Sequence, residues 1–366
     1  SAFEERARPG ALLESAAPPN GTMETLMKQP VPEFRERAPW WGGDLQTLRN
    51  ALVKSPKPSE DCNRNRLILP MADGSGDTLS ALLEQPKPRP SATRPLIVIV
   101  HGLAGAEDSA YMQASAAHWL SRNHSVLRIN LRGAGPSRES CRFRYHAGRT
   151  RDLDDALTAL RENAPETCSG GIVLVGYSLG GNMLLKFLAE FSETPGIRAA
   201  ASVSAPIDLS AGSRRLHSRR NFFYQRSLLR GLQEESLGGK AEVSESHRQA
   251  ILAARSIYEF DDTFVAPCNG FADAEDYYAR CSALGFLGRI RTPTLLIHAL
   301  NDPWIPSASY TRYDWKKNPK LQPCLVAGGG HVGFHCRGLR GAWHDHAIER
   351  FVRDRVEPMS PGRTRD

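Results

Sequence analysis

A serine, an aspartate and a histidine, Ser178, Asp302 and His331, stand far apart in this 366-residue chain, each just beyond a short apolar run. A serine hydroxyl is a weak nucleophile until a base takes its proton. An imidazole serves as that base only when a third group fixes its tautomer. Ser178 lies in Gly176-Tyr177-Ser178-Leu179-Gly180, after the run Ile172-Val173-Leu174-Val175 and before the helix-forming Asn182–Leu188. A strand, a tight turn and a helix in that order lift a hydroxyl clear of a sheet, and Gly176 and Gly180 remove the side chains that would keep strand and helix apart. At a helix N-terminus the unpaired N–H groups favour a developing negative charge. A phosphate-cradling loop is excluded, because Asn182 stands where its lysine would follow.

Asp302, in Leu300-Asn301-Asp302-Pro303, follows the run Thr294–His298, and His331, in Gly328-Gly329-Gly330-His331-Val332-Gly333-Phe334, follows Cys324–Ala327. Nucleophile, acid and base in that chain order, all at strand ends, match one of the known arrangements of a Ser-Asp-His triad. The tetrahedral oxyanion needs two backbone donors. Leu179, next to the serine, supplies one; the other is assigned to Leu103 in His101-Gly102-Leu103-Ala104-Gly105, with Ala104 as the fallback. Other histidines compete: His298 ends a strand, His335 is expected at the start of the last helix, and His344 and His346 lie on it. His331, His335, His344, Asp345 and His346 lack metal-ligand spacing, so no metal is expected.

These side chains need a frame. Leu67–Leu69 and Leu79–Leu83, joined by the turn 73–77, read as a hairpin. Strands are then expected over 96–100, 126–131, 171–175, 199–204, 294–298 and 324–327, with helices over 109–122, 150–163 and 182–191. Leu96-Ile97-Val98-Ile99-Val100 is apolar throughout, as a strand buried on both faces must be. Alternating strands and helices imply a mostly parallel, doubly wound α/β sheet. The alternation pauses over 206–290, which reads as an inserted helical cap. The expected organisation is a loose arm over 1–38, a core over 39–205 and 291–356 around that cap, and a polar tail over 357–366.

Composition sets outer bounds. Hydrophobic residues make up 40% and charged residues 24%, ordinary for a globular protein, and no run approaches the ~20 apolar residues of a membrane span. Seven scattered cysteines show no C-x-x-C spacing, which suits a reducing cytoplasm. The net charge of +7 is spread along the chain. No nucleotide, flavin or nucleic-acid signature is present, so neither a cofactor nor a nucleic-acid partner is expected.

Taken together, the blocks His101-Gly102-Leu103-x-Gly105, Leu131-Arg132-Gly133, Tyr145-His146-x-Gly148, Gly176–Asn182, Glu259-Phe260-Asp261-Asp262, Asp276-Tyr277-Tyr278 and Gly329–Phe334 resemble the YheT-like α/β-hydrolases. The resemblance runs from Trp40 to about Phe351. It implies an α/β-hydrolase fold, carries the triad onto Ser178, Asp302 and His331, and implies a carboxylesterase acting on small-molecule or lipid esters. Two departures stand out. Asn301-Asp302-Pro303 replaces the group's Asp-Asp-Pro, which favours the second position as the acid, and Asp44-Leu45-Gln46-Thr47 replaces His-Leu-Gln-Thr. Arg132 is expected to shape the pocket floor or to hold a cap carboxylate such as Asp261 or Asp262, with Tyr145, His146 and Asp152 bracing its loop. Tyr177, Phe222 and Phe223 are the candidate substrate contacts, and apolar residues among arginines in the cap allow a transient membrane-surface contact. Thioester or amide cleavage by the same triad, and a non-catalytic ligand-binding module on this fold, are the alternatives.

Overall fold

The computed structural model describes residues 33–240 and 243–356; the expected polar tail and most of the expected arm, residues 1–32, lie outside the described residues. Helices of eight residues or more are named. The elements run α1 (Gly42–Leu52), β1 (Cys62–Pro70), β2 (Thr78–Pro86), β3 (Leu96–Val100), α2 (Ala110–Leu120), β4 (Val126–Ile129), α3 (Arg151–Asn163), β5 (Ile172–Tyr177), α4 (Leu179–Glu190) and β6 (Ile197–Val203). There follow α5 (Leu209–His217), α6 (Phe222–Leu237), α7 (Glu245–Ala253), α8 (Ala274–Cys281), β7 (Thr294–Ala299), β8 (Leu321–Val326) and α9 (Trp343–Arg355).

All eight strands form one sheet in the order β1-β2-β4-β3-β5-β6-β7-β8. The β1–β2 and β2–β4 pairings are antiparallel, as the hairpin signal required, and every pairing from β4 to β8 is parallel. Alternate residues of a strand face opposite sides. Leu96, Val98 and Val100 therefore join a core with α3 and α4, while Ile97 and Ile99 join a second core with α2 and α9. Both faces of the central strands are covered, which explains why their sequences are apolar throughout.

Between β6 and β7 the chain forms helices and irregular segments. Leu216, Leu229, Leu232, Ile251, Ile257, Phe260 and Phe264 there build a separate small core. On α6 the inward stripe is Gln225, Leu229, Leu232 and Ser236, the spacing that keeps one helix face turned to its neighbours.

Three expectations need correction. Residues 33–38 are fastened down: Phe34 packs edge-on against Phe334 and Trp343 at 6.0 and 5.6 Å, and Glu36 forms a backbone bridge with Cys336. His335 lies in a loop, because α9 begins only at Trp343. Arg132 pairs with no cap carboxylate among the described residues. It is fully buried and bonds Asp152 at 2.7 and 2.9 Å, Asp77 at 2.9 Å and Asp73 at 3.0 Å. The hairpin turn supplies two of those partners, so Arg132 clamps β1–β2 to α3. Asp261 instead accepts a hydrogen bond from Tyr278 Oη at 2.7 Å.

Candidate active site

The elbow after β5 is tight because it has to be. A Cβ on Gly176 would lie 2.6 Å from the Gly180 carbonyl oxygen, and one on Gly180 would lie 2.2 Å from that of His101. Strand, helix and the neighbouring β3 loop thus meet backbone to backbone. Ser178, between them, is held at φ 50°, ψ −121°, a conformation costly for a residue with a Cβ.

His331 Nε2 lies 2.9 Å from Ser178 Oγ, and His331 Nδ1 lies 2.9 Å from Asp302 Oδ2. Asp302 Oδ1 accepts the N–H groups of Trp304 and Ile305 at 2.8 and 3.0 Å. Burial pushes the Asp302 carboxyl up, but the charge and hydrogen bond of His331, with help from His298 and the Ile305 amide, outweigh it and hold the group below the usual carboxylate range. The carboxylate is therefore charged, and His331 Nδ1 is its donor, leaving Nε2 free to accept the serine proton. The indole of Trp304 stacks on the imidazole at 4.3 Å and fixes its plane.

The loop carrying His331 is tied down by side chains from elsewhere. Gly330 N–H donates to Asn301 Oδ1 at 3.0 Å, His331 N–H to Thr47 Oγ1 at 2.8 Å, Val332 N–H to Ser204 Oγ at 3.1 Å and His335 N–H to Gln46 Oε1 at 2.7 Å. Asn301 of Asn301-Asp302-Pro303 thus serves as an acceptor and leaves the charge to Asp302. Asp44 contacts the cap instead of the core, accepting from Arg220 Nη2 at 2.6 Å and Tyr224 Oη at 3.2 Å.

In the loop after β3 the amides are nearly all committed. Gly102 N–H donates to Tyr111 Oη at 2.9 Å, Ala104 N–H to Tyr145 Oη at 2.8 Å and Gly105 N–H to the Gly102 carbonyl at 3.2 Å. Leu103 N–H has no partner among the described residues, whereas the fallback donor Ala104 is occupied. Tyr145 Oη in turn donates to Glu235 Oε2 on α6 at 3.0 Å, so a buried relay joins this loop to the cap. Leu179 opens α4, where the first N–H groups have no intrahelical acceptor. His101 packs at the strand end: Nδ1 donates to the Gly102 carbonyl, Nε2 accepts Leu131 N–H, and burial pulls its pKa down to about 4. His298 stacks on Tyr310 at 4.1 Å and is likewise pulled to about 4 by burial.

Ser178, Leu103, Leu179 and His331 open onto one cavity of about 470 Å³, whose apolar wall includes Leu209, Leu216, Leu228, Ile257 and Trp304. The three candidate substrate contacts are not in that wall. Tyr177 is fully buried on the far face of the sheet, its hydroxyl 3.2 Å from Asp345, because strand alternation sends it the opposite way from its pocket-facing neighbour. Phe222 and Phe223 are 52% and 82% exposed on the outside of the cap. Trp304, Tyr111, Thr47 and Gln46 were missed by the sequence reading; only the quoted Leu45-Gln46-Thr47 stretch hinted at the last two. Of the five residues weighed for a metal, only His346 falls in a group with ligand-like spacing among the described residues, with His118 and Glu349.

The sheet order and the elbow define a class of fold, and the comparisons agree with that class. Residues 95–336 match the family model of the alpha/beta hydrolase fold. The chain belongs to the α/β-hydrolase family, in its YheT-like group. It is 34% identical to YheT of Escherichia coli (strain K12) over 250 residues, 68% of this chain and 72% of that one. It is 28% identical to a monoacylglycerol lipase of Saccharomyces cerevisiae, over 74% of this chain and 61% of that one, and 26% identical to the human phospholipase ABHD3, over 87% and 78%. Among solved structures, the Pyrococcus furiosus esterase Pf2001 superposes with a TM-score of 0.55 at 15% identity, covering 83% of this chain and 97% of that one, a likeness of fold.

Proposed function

We propose that the protein is a serine hydrolase of carboxylic esters, with lipid-type acyl esters as its substrates. The observation that carries this reading is the continuous hydrogen-bonded line from Ser178 through His331 to Asp302, opening into an apolar cavity. His331 Nε2 takes the Ser178 proton as Oγ attacks the acyl carbonyl. The oxyanion that forms points between the Leu103 and Leu179 amides, and losing one such donor costs ~3 kcal/mol of transition-state stabilisation. The C–O bond to the alcohol then breaks, the proton on Nε2 passes to the departing alkoxide, and the acyl group stays on Oγ. Water enters by the reverse route: His331 takes its proton, the new C–O bond forms, and the acid leaves as Ser178 regains its hydrogen.

The apolar wall suits an acyl chain, and the lipase and the phospholipase among the relatives support a lipid-type ester. Phe222 and Phe223, exposed beside Arg219 and Arg220, support a transient rest on a lipid surface rather than contact with the reacting ester. No helix among the described residues is long and apolar enough to cross a membrane. The test is direct. The purified protein should react with a fluorophosphonate probe, which labels only an activated serine, and should hydrolyse p-nitrophenyl butyrate; Ser178→Ala should lose both. A Ser178→Ala protein that hydrolyses the ester at the wild-type rate ends the reading, and absence of labelling favours the non-catalytic module.

A further inference from the structure

A second cavity, of about 440 Å³, lies beside the first and has opposite character. Among the described residues Arg37, Arg49, Lys54 and Arg340 line it, and no carboxylate does. Asn50, Tyr111 and Val332 line both cavities, so the two adjoin next to the histidine loop. We propose that this cavity is an anion subsite, holding a phosphate or carboxylate on the alcohol side of the ester while the acyl chain fills the apolar cavity at Ser178.

Cations gathered without acids are unusual, because surface charges of a mixed sequence ordinarily find partners. Arg37, Lys54 and Arg340 make no ion pair among the described residues. Arg49 is held in place by its position over the Trp40 ring, at 5.9 Å, and by a 3.0 Å hydrogen bond from Nη1 to His335 Nδ1, which leaves its buried Nε without a partner. His335 Nδ1 is therefore an acceptor, and its Nε2–H donates to Asn50 Oδ1 at 3.1 Å. The imidazole is neutral, and its pKa is pulled to about 3 by burial and by Arg49, His344 and Arg37. A neutral histidine beside four cations shows which sign of charge the cavity favours.

An independent observation points the same way. His344, only 1% exposed, also lines the cavity, and neither of its ring nitrogens has a hydrogen-bond partner among the described residues. Its nearest acid, Asp345 Oδ1, lies 3.6 Å from Nε2, past hydrogen-bond reach. A buried, unsatisfied donor is costly and calls for a ligand atom. A compact oxyanion supplies acceptors to the guanidinium forks and to this imidazole at once. The apolar wall at Leu209, Leu216 and Leu228 lies on the cap side of Ser178, which leaves the side toward Tyr111 and Val332 for the alcohol.

The proposal rests on the ester-hydrolase reading, and the experiment separates the two. Measured kcat/KM values are compared for butyryl esters of glycerol 3-phosphate, of glycolate and of glycerol. At least one anionic ester should exceed the neutral one tenfold or more, and which one does so distinguishes phosphate from carboxylate. The anionic-to-neutral ratio should fall tenfold or more in Arg340→Gln, an exposed position, and in Arg49→Gln, and should shrink in wild type at high salt. Equal turnover of all three esters, or a preference that both variants keep, overturns the proposal. If no ester is cleaved and the fluorophosphonate does not label the protein, the hydrolase reading has failed. Calorimetric titration of Ser178→Ala with inorganic phosphate then decides the subsite: binding that weakens tenfold on adding Arg340→Gln supports it, and absence of saturable binding overturns it.

Discussion

Replacing Asp302 with asparagine changes one atom, and the structure dictates which way the new amide must face. Asp302 Oδ1 accepts two backbone N–H groups, from Trp304 and Ile305. An amide nitrogen there would oppose two donors, so asparagine keeps its oxygen at that place and turns its NH2 toward His331 Nδ1. That nitrogen must then accept, and the ring proton moves to Nε2, where it points at Ser178 Oγ and cannot receive the hydroxyl hydrogen. The variant also lacks the charge that stabilises the imidazolium of the transition state. Two unit charges ~4 Å apart attract by about 4 kcal/mol at an effective dielectric of 20, and each 1.36 kcal/mol is about tenfold in rate. Wrong tautomer and missing charge together predict a loss of about 10³- to 10⁴-fold in kcat on p-nitrophenyl butyrate. The melting temperature serves as the control, because the volume is unchanged and both backbone bonds survive. A correctly folded Asp302→Asn protein that loses less than tenfold would refute the assignment of the acid.

Three further outcomes follow from buried polar groups. Tyr145→Phe strands the Ala104 N–H and breaks the relay to Glu235; an unsatisfied buried donor costs about 1–3 kcal/mol, so kcat should fall roughly tenfold or more with little change in KM. Glu235→Gln, which can still accept from Tyr145, should retain most of the activity in the same steady-state assay. Stability should decline steeply on mild acidification. His101 and His298 are held at about 4, His146 and His335 at about 3, and His344 below its ordinary value, in each case chiefly by burial. Their folded pKa values are depressed, so the stability they contribute is complete above about pH 6.5 and is lost as pH falls toward the folded values. Burial raises Glu235 and Asp261 to about 7, so the folded state holds two protons there that the unfolded chain has released, which partly offsets the loss. Four protons taken up on unfolding at His101, His146, His298 and His335 against two given back leave a slope of about 3 kcal/mol per pH unit near pH 5, to which the lowered pKa of His344 adds in the same direction. Urea denaturation at a series of pH values measures it, and a flat profile near that pH would show that these histidines are not buried as neutral rings.

The elements carrying the chemistry were legible because their signals are local. A strand covered on both faces must be apolar throughout, so β3 announced itself with its observed bounds of Leu96 and Val100. The elbow was legible because only glycine tolerates backbone contacts as close as those at Gly176 and Gly180. What could not be read are choices among distant partners. Arg132 had several carboxylates within reach of any plausible fold, and only the hairpin's pairing, which swings Asp73 and Asp77 onto it, selects among them. Phe222 and Phe223 promised a binding surface by composition. The inward stripe of α6 is set by Gln225, Leu229 and Leu232, however, which leaves Phe223 off that face and Phe222 at its open end.

The position of the base is the clearest case of a property that belongs to no single segment. His331 sits in a loop with three glycines before it, at 328–330, and such a sequence by itself specifies no conformation. Four amides between Gly330 and His335 are instead taken by Asn301, Thr47, Ser204 and Gln46, side chains from the acid's own loop, from α1 and from the end of β6. Each bond replaces chain freedom with an acceptor already fixed by other packing, so the imidazole is held against Ser178 in the folded protein itself. The same α1 that supplies Thr47 and Gln46 also presents Arg49 and Asn50 to the cationic cavity. One helix thus holds the His331 loop in register and lines both cavities through Asn50. Anything that shifts α1 is therefore expected to alter rate and substrate preference together.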